Sequence, residues 1–174
     1  MKNIFLIGMM GSWKSTVGRK LAKIIKMEFI DTDDSIEEFM DMKVSDIFYE
    51  FGEEKFREME VAFFTEKSKQ SGQIFSTGGG IILDPSNRKC LQNNGTTFFL
   101  NARSKTLAKR IHNTTKRPLL SNSINLQKKF DEIWISRKDY YFQSCDYIID
   151  TDEMSPEGVV NEILNKIEFS IENN

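Results

Sequence analysis

The chain alternates short apolar runs with longer segments whose apolar residues recur every three or four positions. Asn3–Ile7 is a largely apolar run of strand length. From Lys14 onward, Val17, Leu21, Ile24 and Ile25 share one face of an amphipathic helix. Glu28–Asp31 reads as a second strand. The stretch Ser35–Ser71 is expected to be helical, with Ile36, Phe39 and Met40 on one face and Phe56, Met59, Phe63 and Phe64 on another. Gly52 marks a break between a short helix and a longer one. Gln73–Ser76 is a third strand, running into Thr77 and Gly78-Gly79-Gly80. Asp84-Pro85-Ser86 starts a helix that leads to Leu91. Thr96–Leu100 is a fourth strand, and Ser104 is the expected cap of a helix carrying Leu107, Ala108 and Ile111. Asn113–Asn125 is polar and lacks sustained periodicity, the mark of a mobile loop. Leu126, Phe130, Ile133, Trp134 and Arg137 define a further helix, and Tyr147–Asp150 the last strand. Ser155-Pro156-Glu157 opens a final amphipathic helix through Ile171, with serine as cap and proline at the first helical position.

Strand and helix therefore alternate five times, which predicts an α/β domain with a parallel sheet covered on both faces. At 174 residues the chain holds one sizeable core and is short for two, so a single domain over 1–174 is expected. A formal net charge of −2 argues against a general nucleic-acid or anionic-membrane binder, while leaving room for a local cluster of cations. No apolar run approaches the ~20 residues that span a bilayer. The opening MKNIFLIGMMGS is a strand entering a loop rather than a leader, because Lys14, Arg19, Lys20 and Lys23 follow at once. Cys90 and Cys145 lack metal-ligand spacing and are expected to be reduced cysteines of a cytoplasmic protein.

The chemistry begins at GMMGSWKS, Gly8–Ser15. It fills G-x-x-x-x-G-K-[ST] at every fixed position but one, where Trp13 replaces the glycine before Lys14. Between a strand and a helix, such a loop turns successive backbone N–H groups and a helix N-terminus toward a polyphosphate. The ATP-binding residues are then Gly11, Ser12, Trp13, Lys14, Ser15 and Thr16, with Lys14 reaching the β- and γ-phosphates and Ser15 offering its hydroxyl to Mg²⁺. A large aromatic at positive φ costs about 1–3 kcal/mol. Trp13 therefore either carries strain into the ATP site or turns outward, to stack on a ligand or cover the pocket.

Five motifs in order, GMMGSWKSTVGRKLA, FIDTDDSIE, GEEKFREME, STGGGIIL and RPLL, resemble the shikimate kinases from Met1 to about Gly158. The resemblance implies a three-layer α/β/α P-loop kinase with a five-stranded parallel sheet, a helical substrate-binding segment at about 32–61 and a lid at about 112–124. It implies transfer of the γ-phosphate of ATP to the 3-hydroxyl of shikimate, with Mg²⁺, in a cytoplasmic monomer that needs neither nucleic acid nor membrane. By the same resemblance, Ser15 and Asp31 face the metal. Asp33 contacts the shikimate hydroxyls and takes the proton. Arg57 and Arg137 bind the carboxylate, Glu60 orients Arg57, and Gly78, Gly79 and Gly80 run beside the substrate. Phe48 and Phe56 wall the ring, Arg117 closes over the phosphates from the lid, and Arg110 and Pro156 sandwich adenine. Lys14, Asp33 and Arg117 are the implied catalytic set. Read alone, the two acids of D-T-D are helix caps and either arginine is a surface charge. Asp34 receives no role, His112 is expected to be an exposed bystander, and Trp134 core. Two other readings stand beside the active enzyme: a shikimate-binding protein whose nucleotide handling Trp13 has impaired, and a related gluconate or nucleotide kinase.

Overall fold

In the computed structural model, which describes residues 1–111, 118–120 and 125–172, five strands form one sheet. They are β1 (Asn3–Ile7), β2 (Glu28–Asp31), β3 (Gln73–Ser76), β4 (Gly95–Asn101) and β5 (Tyr147–Asp150). Their order is β2-β3-β1-β4-β5 and every pairing is parallel. The helices are α1 (Lys14–Ile25), α2 (Thr32–Met40), α3 (Val44–Lys67), α4 (Pro85–Asn94), α5 (Ser104–Arg110), α6 (Leu126–Gln143) and α7 (Pro156–Glu172). Short 3₁₀ turns lie at Ile81–Leu83 and Pro118–Leu120.

Because successive strand residues point to opposite faces, β1 feeds two cores at once. Phe5 and Ile7 pack with Phe64, Phe75, Phe99, Phe130 and Tyr141 beneath α3, α4, α5 and α6. Ile4 and Leu6 pack with Val17, Leu21, Ile74, Phe98, Val159 and Ile163 beneath α1 and α7. The result is the expected three-layer α/β/α domain, with a small third cluster of Ile36, Ile47 and Phe56 joining α2 to α3. Among the described residues no helix is long and apolar enough to cross a membrane, and both cysteines are free.

Three expectations need correction. The helical stretch is two helices, α2 and α3, and it starts at Thr32 because Asp31 caps it. Asp41 takes a left-handed conformation (φ 50) that ends α2, and Glu37 clamps the turn by accepting from the Val44 N–H at 2.9 Å and from Lys43 at 2.8 Å. The helix then ends at Lys67, short of Ser71, while Gly52 is a break as expected (φ 82, ψ 166). Ser104 is the first residue of α5 rather than its cap; Arg103 precedes the helix, its N–H given to Asp152 at 3.0 Å. Trp134 sits at the core's edge, part-exposed and stacked 6.2 Å from Phe99. Ser155 does cap α7, accepting from Gly158 N–H at 3.1 Å. Of the polar loop, Pro118–Leu120 and Asn125 are described; Leu120 is fully buried and Asn125 caps α6, accepting from Lys128 N–H at 3.0 Å.

The rings of Phe5, Phe64 and Phe75 meet pairwise with centroids 5.2–5.6 Å apart, clamping α3 to the centre of the sheet. Phe75→Ala is expected to cost about 3–5 kcal/mol of folding free energy, read from urea denaturation as a lowered midpoint at unchanged slope.

Candidate active site

Parallel strands deliver their carboxyl ends to one edge of a sheet, and ligands of open α/β sheets bind there. At that edge the loops after β1, β2 and β3 enclose a cleft of about 780 Å³. The register sets the three loops side by side, with Leu6 opposite Ser76 and Asp31 opposite Ser76 on its other flank.

The loop after β1 wraps the N-terminus of α1. Lys14 is nearly buried and folds back to donate to the carbonyls of Gly8 at 2.8 Å and Met9 at 3.1 Å, which holds the loop in a ring. Ser12 is wholly buried, with no partner for its Oγ. Trp13 caps α1 in the left-handed conformation (φ 72, ψ 15), so the cost expected of a non-glycine residue is present. Its indole lies under the guanidinium of Arg110, whose Cζ is 3.4 Å from the ring centroid. Arg110 is itself pinned by bonds to Thr151 Oγ1 at 3.0 Å and Thr151 O at 2.6 Å.

The acids after β2 divide their work. Asp31 Oδ1 accepts from the N–H of Asp33 at 3.2 Å, capping α2, while its Oδ2 accepts from Ser15 Oγ at 2.6 Å. Helix cap and site residue are thus the same side chain. Ser76 Oγ lies 3.0 Å from Ser15 Oγ, extending this oxygen-rich corner. Asp33 is driven into the cleft floor, where its Oδ1 is buried without a hydrogen-bond partner. Burial first, then the nearby carboxylates of Glu60 and Asp31, push its carboxyl up to about 7, against the pull of Lys14 and Arg57. Asp34 stays at the exposed rim, paired with Arg19 at 3.0 Å.

The opposite wall is a network of charge on α3 and α6. Arg57 donates to Glu60 at 2.7 Å and to Glu53 at 3.1 Å. Glu60 is fully buried, and burial raises its pKa even though Arg57 pulls it down. Arg137 donates to the Gly79 carbonyl at 3.1 Å, and the hydroxyl of Tyr141 donates to the same oxygen. Burial pushes the Tyr141 phenol up to about 12, so it remains a donor. Two of the three glycines are set by close approach: a Cβ on Gly78 would lie 2.5 Å from Glu60 Oε1 and 2.7 Å from Asp33 Oδ1, and one on Gly80 2.5 Å from the Arg57 guanidinium, whereas Gly79 has ordinary room. Thr32 Oγ1 accepts the Gly78 N–H at 2.9 Å and fixes the loop against α2.

The cleft therefore brings together Gly11, Trp13, Lys14, Ser15, Thr16, Asp31, Asp33, Arg57, Gly78, Gly79, Gly80, Arg110 and Arg137, with Phe48 and Phe56 along its wall. Ser12 lies behind the loop, and Pro156 opens α7 away from the walls of the cleft. Arg117 and His112 lie outside the described residues. Tyr141, Thr32, Thr151 and Ser76 were not singled out in the sequence. For Tyr141 a signal existed, since it stands four residues beyond Arg137 on one helix face. Among the described residues no three His, Cys, Asp or Glu side chains are placed to hold a metal ion together. Asp31 Oδ2, Ser15 Oγ and Ser76 Oγ do make a cluster of hard oxygen donors, the donor type that suits a magnesium ion shared with phosphates and water.

Comparison with known proteins places this geometry. The family model for shikimate kinase matches residues 10–168. The shikimate kinase of Histophilus somni is 39% identical over 167 residues, covering 96% of this chain and 95% of that protein. The one from Caldicellulosiruptor bescii is 37% identical, covering 95% of each. The solved structure of shikimate kinase from Acinetobacter baumannii in complex with shikimate superposes with a TM-score of 0.93 at 30% identity, covering 98% of this chain and 94% of that one.

The Asp33 carboxyl has a measurable cost. Its folded pKa of about 7 stands above the ordinary 3.8, so between these values the folded protein keeps a proton that the unfolded chain has released. Its contribution to stability is thus complete below the lower value and is lost as pH rises through the upper one. In metal-free protein held with a chelator, Asp33→Asn is expected to raise the melting temperature, the gain growing from about pH 5 to about pH 8 and reaching on the order of 2–4 kcal/mol. A gain independent of pH would contradict the assignment.

Proposed function

The chain belongs to the shikimate kinase family of ATP-dependent phosphotransferases, and from this premise we infer how its cleft transfers the γ-phosphate of ATP to the 3-hydroxyl of shikimate. The product is shikimate 3-phosphate, an intermediate on the route to aromatic amino acids. The observation that carries the assignment is convergence: the phosphate loop, the Asp33 carboxylate and the paired guanidinium groups of Arg57 and Arg137 wall a single cleft.

The triphosphate rests on the backbone N–H groups of Gly11–Thr16, where Lys14 reaches the β- and γ-phosphates. The shikimate carboxylate lies between Arg57 and Arg137, whose planar forks suit a carboxylate. Glu60 and Glu53 hold the Arg57 fork in place, and Gly79 holds that of Arg137. With the acid anchored, the hydroxyl edge of the ring faces Asp33 and the Gly80 N–H, and Phe48 and Phe56 close on the ring carbons. The 3-oxygen forms its bond to the γ-phosphorus as the bond to the ADP oxygen breaks, and the hydroxyl proton passes to Asp33. A carboxyl whose pKa stands near 7 is suited to that exchange. Asp31 and Ser15 would hold a magnesium ion, which when bound neutralises charge on the phosphates. Arg117, on the lid segment at about 112–124, would close over the phosphates and exclude water that competes with the hydroxyl. The helical wall of about 32–61 is the substrate-binding segment of a single domain spanning 1–174. We place the enzyme in the cytoplasm as a monomer acting on shikimate and ATP alone.

The test is ADP release with Mg-ATP in the presence and absence of shikimate. Release that depends on shikimate is expected; equal rates with and without it, from folded protein, would overturn the assignment. Arg57→Lys keeps a cation beside Glu60 but loses the fork. It is expected to raise KM for shikimate about 10–100-fold, with KM for ATP little changed. Lys14→Met is expected to lower kcat by roughly 10³-fold or more.

A further inference from the structure

The cleft has two ends about the phosphate loop. One carries Asp33, Arg57 and Arg137, the side chains suited to an anionic, hydroxylated acceptor; the other is walled by Trp13, Arg110 and Ile111. A nucleotide with its phosphates in the loop and its γ-phosphate toward the acceptor must lay its base at the second end. Among the described residues that line this end, the flat, fixed cation available for stacking is the guanidinium of Arg110, held in its plane by Thr151. That surface is already taken. The Trp13 ring lies 3.4 Å from Arg110 Cζ, a stacking distance, and its edge packs against the apolar cluster beneath α1 and α7. An indole and a purine are both planar fused six- and five-membered rings, so the side chain fills the footprint a purine would need.

We propose that the Trp13 indole occupies the nucleobase position of this chain's own ATP site, so that adenine must displace it from Arg110 and Trp13 sets the affinity for the nucleotide. The inference rests on the nucleotide reading of the cleft and adds to it the residue that tunes it. The backbone allows the exchange. Trp13 already holds the left-handed turn that a glycine would hold there, so the ring can swing away by side-chain rotation while the N–H groups of the loop stay in place. The competition therefore acts on the base and leaves the triphosphate alone.

Mg-ATP and Mg-tripolyphosphate, which lacks a base, separate the two effects in titrations of the wild type, Trp13→Ala and Trp13→Gly. Both variants are expected to bind ATP about tenfold more tightly, equivalent to about 1.4 kcal/mol, with tripolyphosphate unchanged. Trp13→Ala retains the Cβ at positive φ, so a gain in that variant comes from the ring and not from relief of strain. In a Trp134→Phe background the remaining tryptophan reports directly: its emission is expected to shift with ATP and stay fixed with tripolyphosphate. Weaker or unchanged ATP binding by Trp13→Ala would overturn the proposal, as would parallel shifts for both ligands. If KM for ATP stays unchanged while ADP release remains dependent on shikimate, the proposal fails and the kinase assignment stands. Loss of shikimate dependence in every folded variant would remove the kinase assignment instead.

Discussion

Parallel pairing of β1 between β3 and β4 is the constraint on which the site depends. With all strands running one way, the ends of β1, β2 and β3 open at one edge, and the fixed register aligns Leu6 with Ser76 and Ser76 with Asp31. A slip of one residue would turn Phe5 and Ile7 out of one core and Ile4 and Leu6 out of the other, so the hydrophobic cores and the catalytic geometry enforce the same register. The phosphate loop, the acid corner and the glycine loop are neighbours for that reason, although 62 residues of chain, 16–77, lie between the first and the last.

Around this edge the molecule gathers charge that the rest of the fold would not choose. Glu60 is fully buried, Asp33 Oδ1 and Glu60 Oε1 have no hydrogen-bond partner, and both face the space that Gly78 leaves by lacking a side chain. Buried carboxylates of this kind are destabilising unless paired, and only one oxygen of Glu60 is paired with Arg57. Unmet polar atoms in a cleft are groups held ready for a ligand. The same trade appears at Trp13, where backbone strain is set against a cation–π contact with Arg110.

Much of this was legible in the sequence because period and punctuation are local. The five strands fall within one residue of where their apolar runs lie, and Asp84-Pro85, Ser155-Pro156 and Gly52 do what their backbone chemistry dictates. The missed turn at Asp41–Lys43 had no glycine or proline to announce it; it is made by Glu37, a side chain reaching seven residues along the chain to Val44. Ser104 was misread because the partner of the preceding N–H is Asp152, a residue remote in sequence. In the site, the residue types that bear charge were readable, whereas Thr32, Thr151 and Ser76 act only through contacts that folding creates. The two acids of D-T-D had looked like a choice between capping and catalysis. Asp31 does the first with one oxygen and leaves the other for Ser15.

The break at Gly52 divides α3 into two helical segments along the wall of the cleft. Arg57 and Glu60 stand on the part of α3 that Phe64 anchors to the sheet, whereas Phe48 stands on the part before the break, packed with α2 through Ile36 and Ile47. Gly52 has open space around it, and its backbone is held by no side chain of its own. Phe48 and Phe56 touch across this joint, with ring centroids 5.0 Å apart. Phe56 stands beside Arg57 beyond the break and packs in the same cluster as Ile36 and Ile47, so the two segments share one apolar contact. A pivot at Gly52 would move Phe48 relative to Phe56 and Arg57, changing the apolar side of the cleft while Phe64 keeps Arg57 set against the sheet.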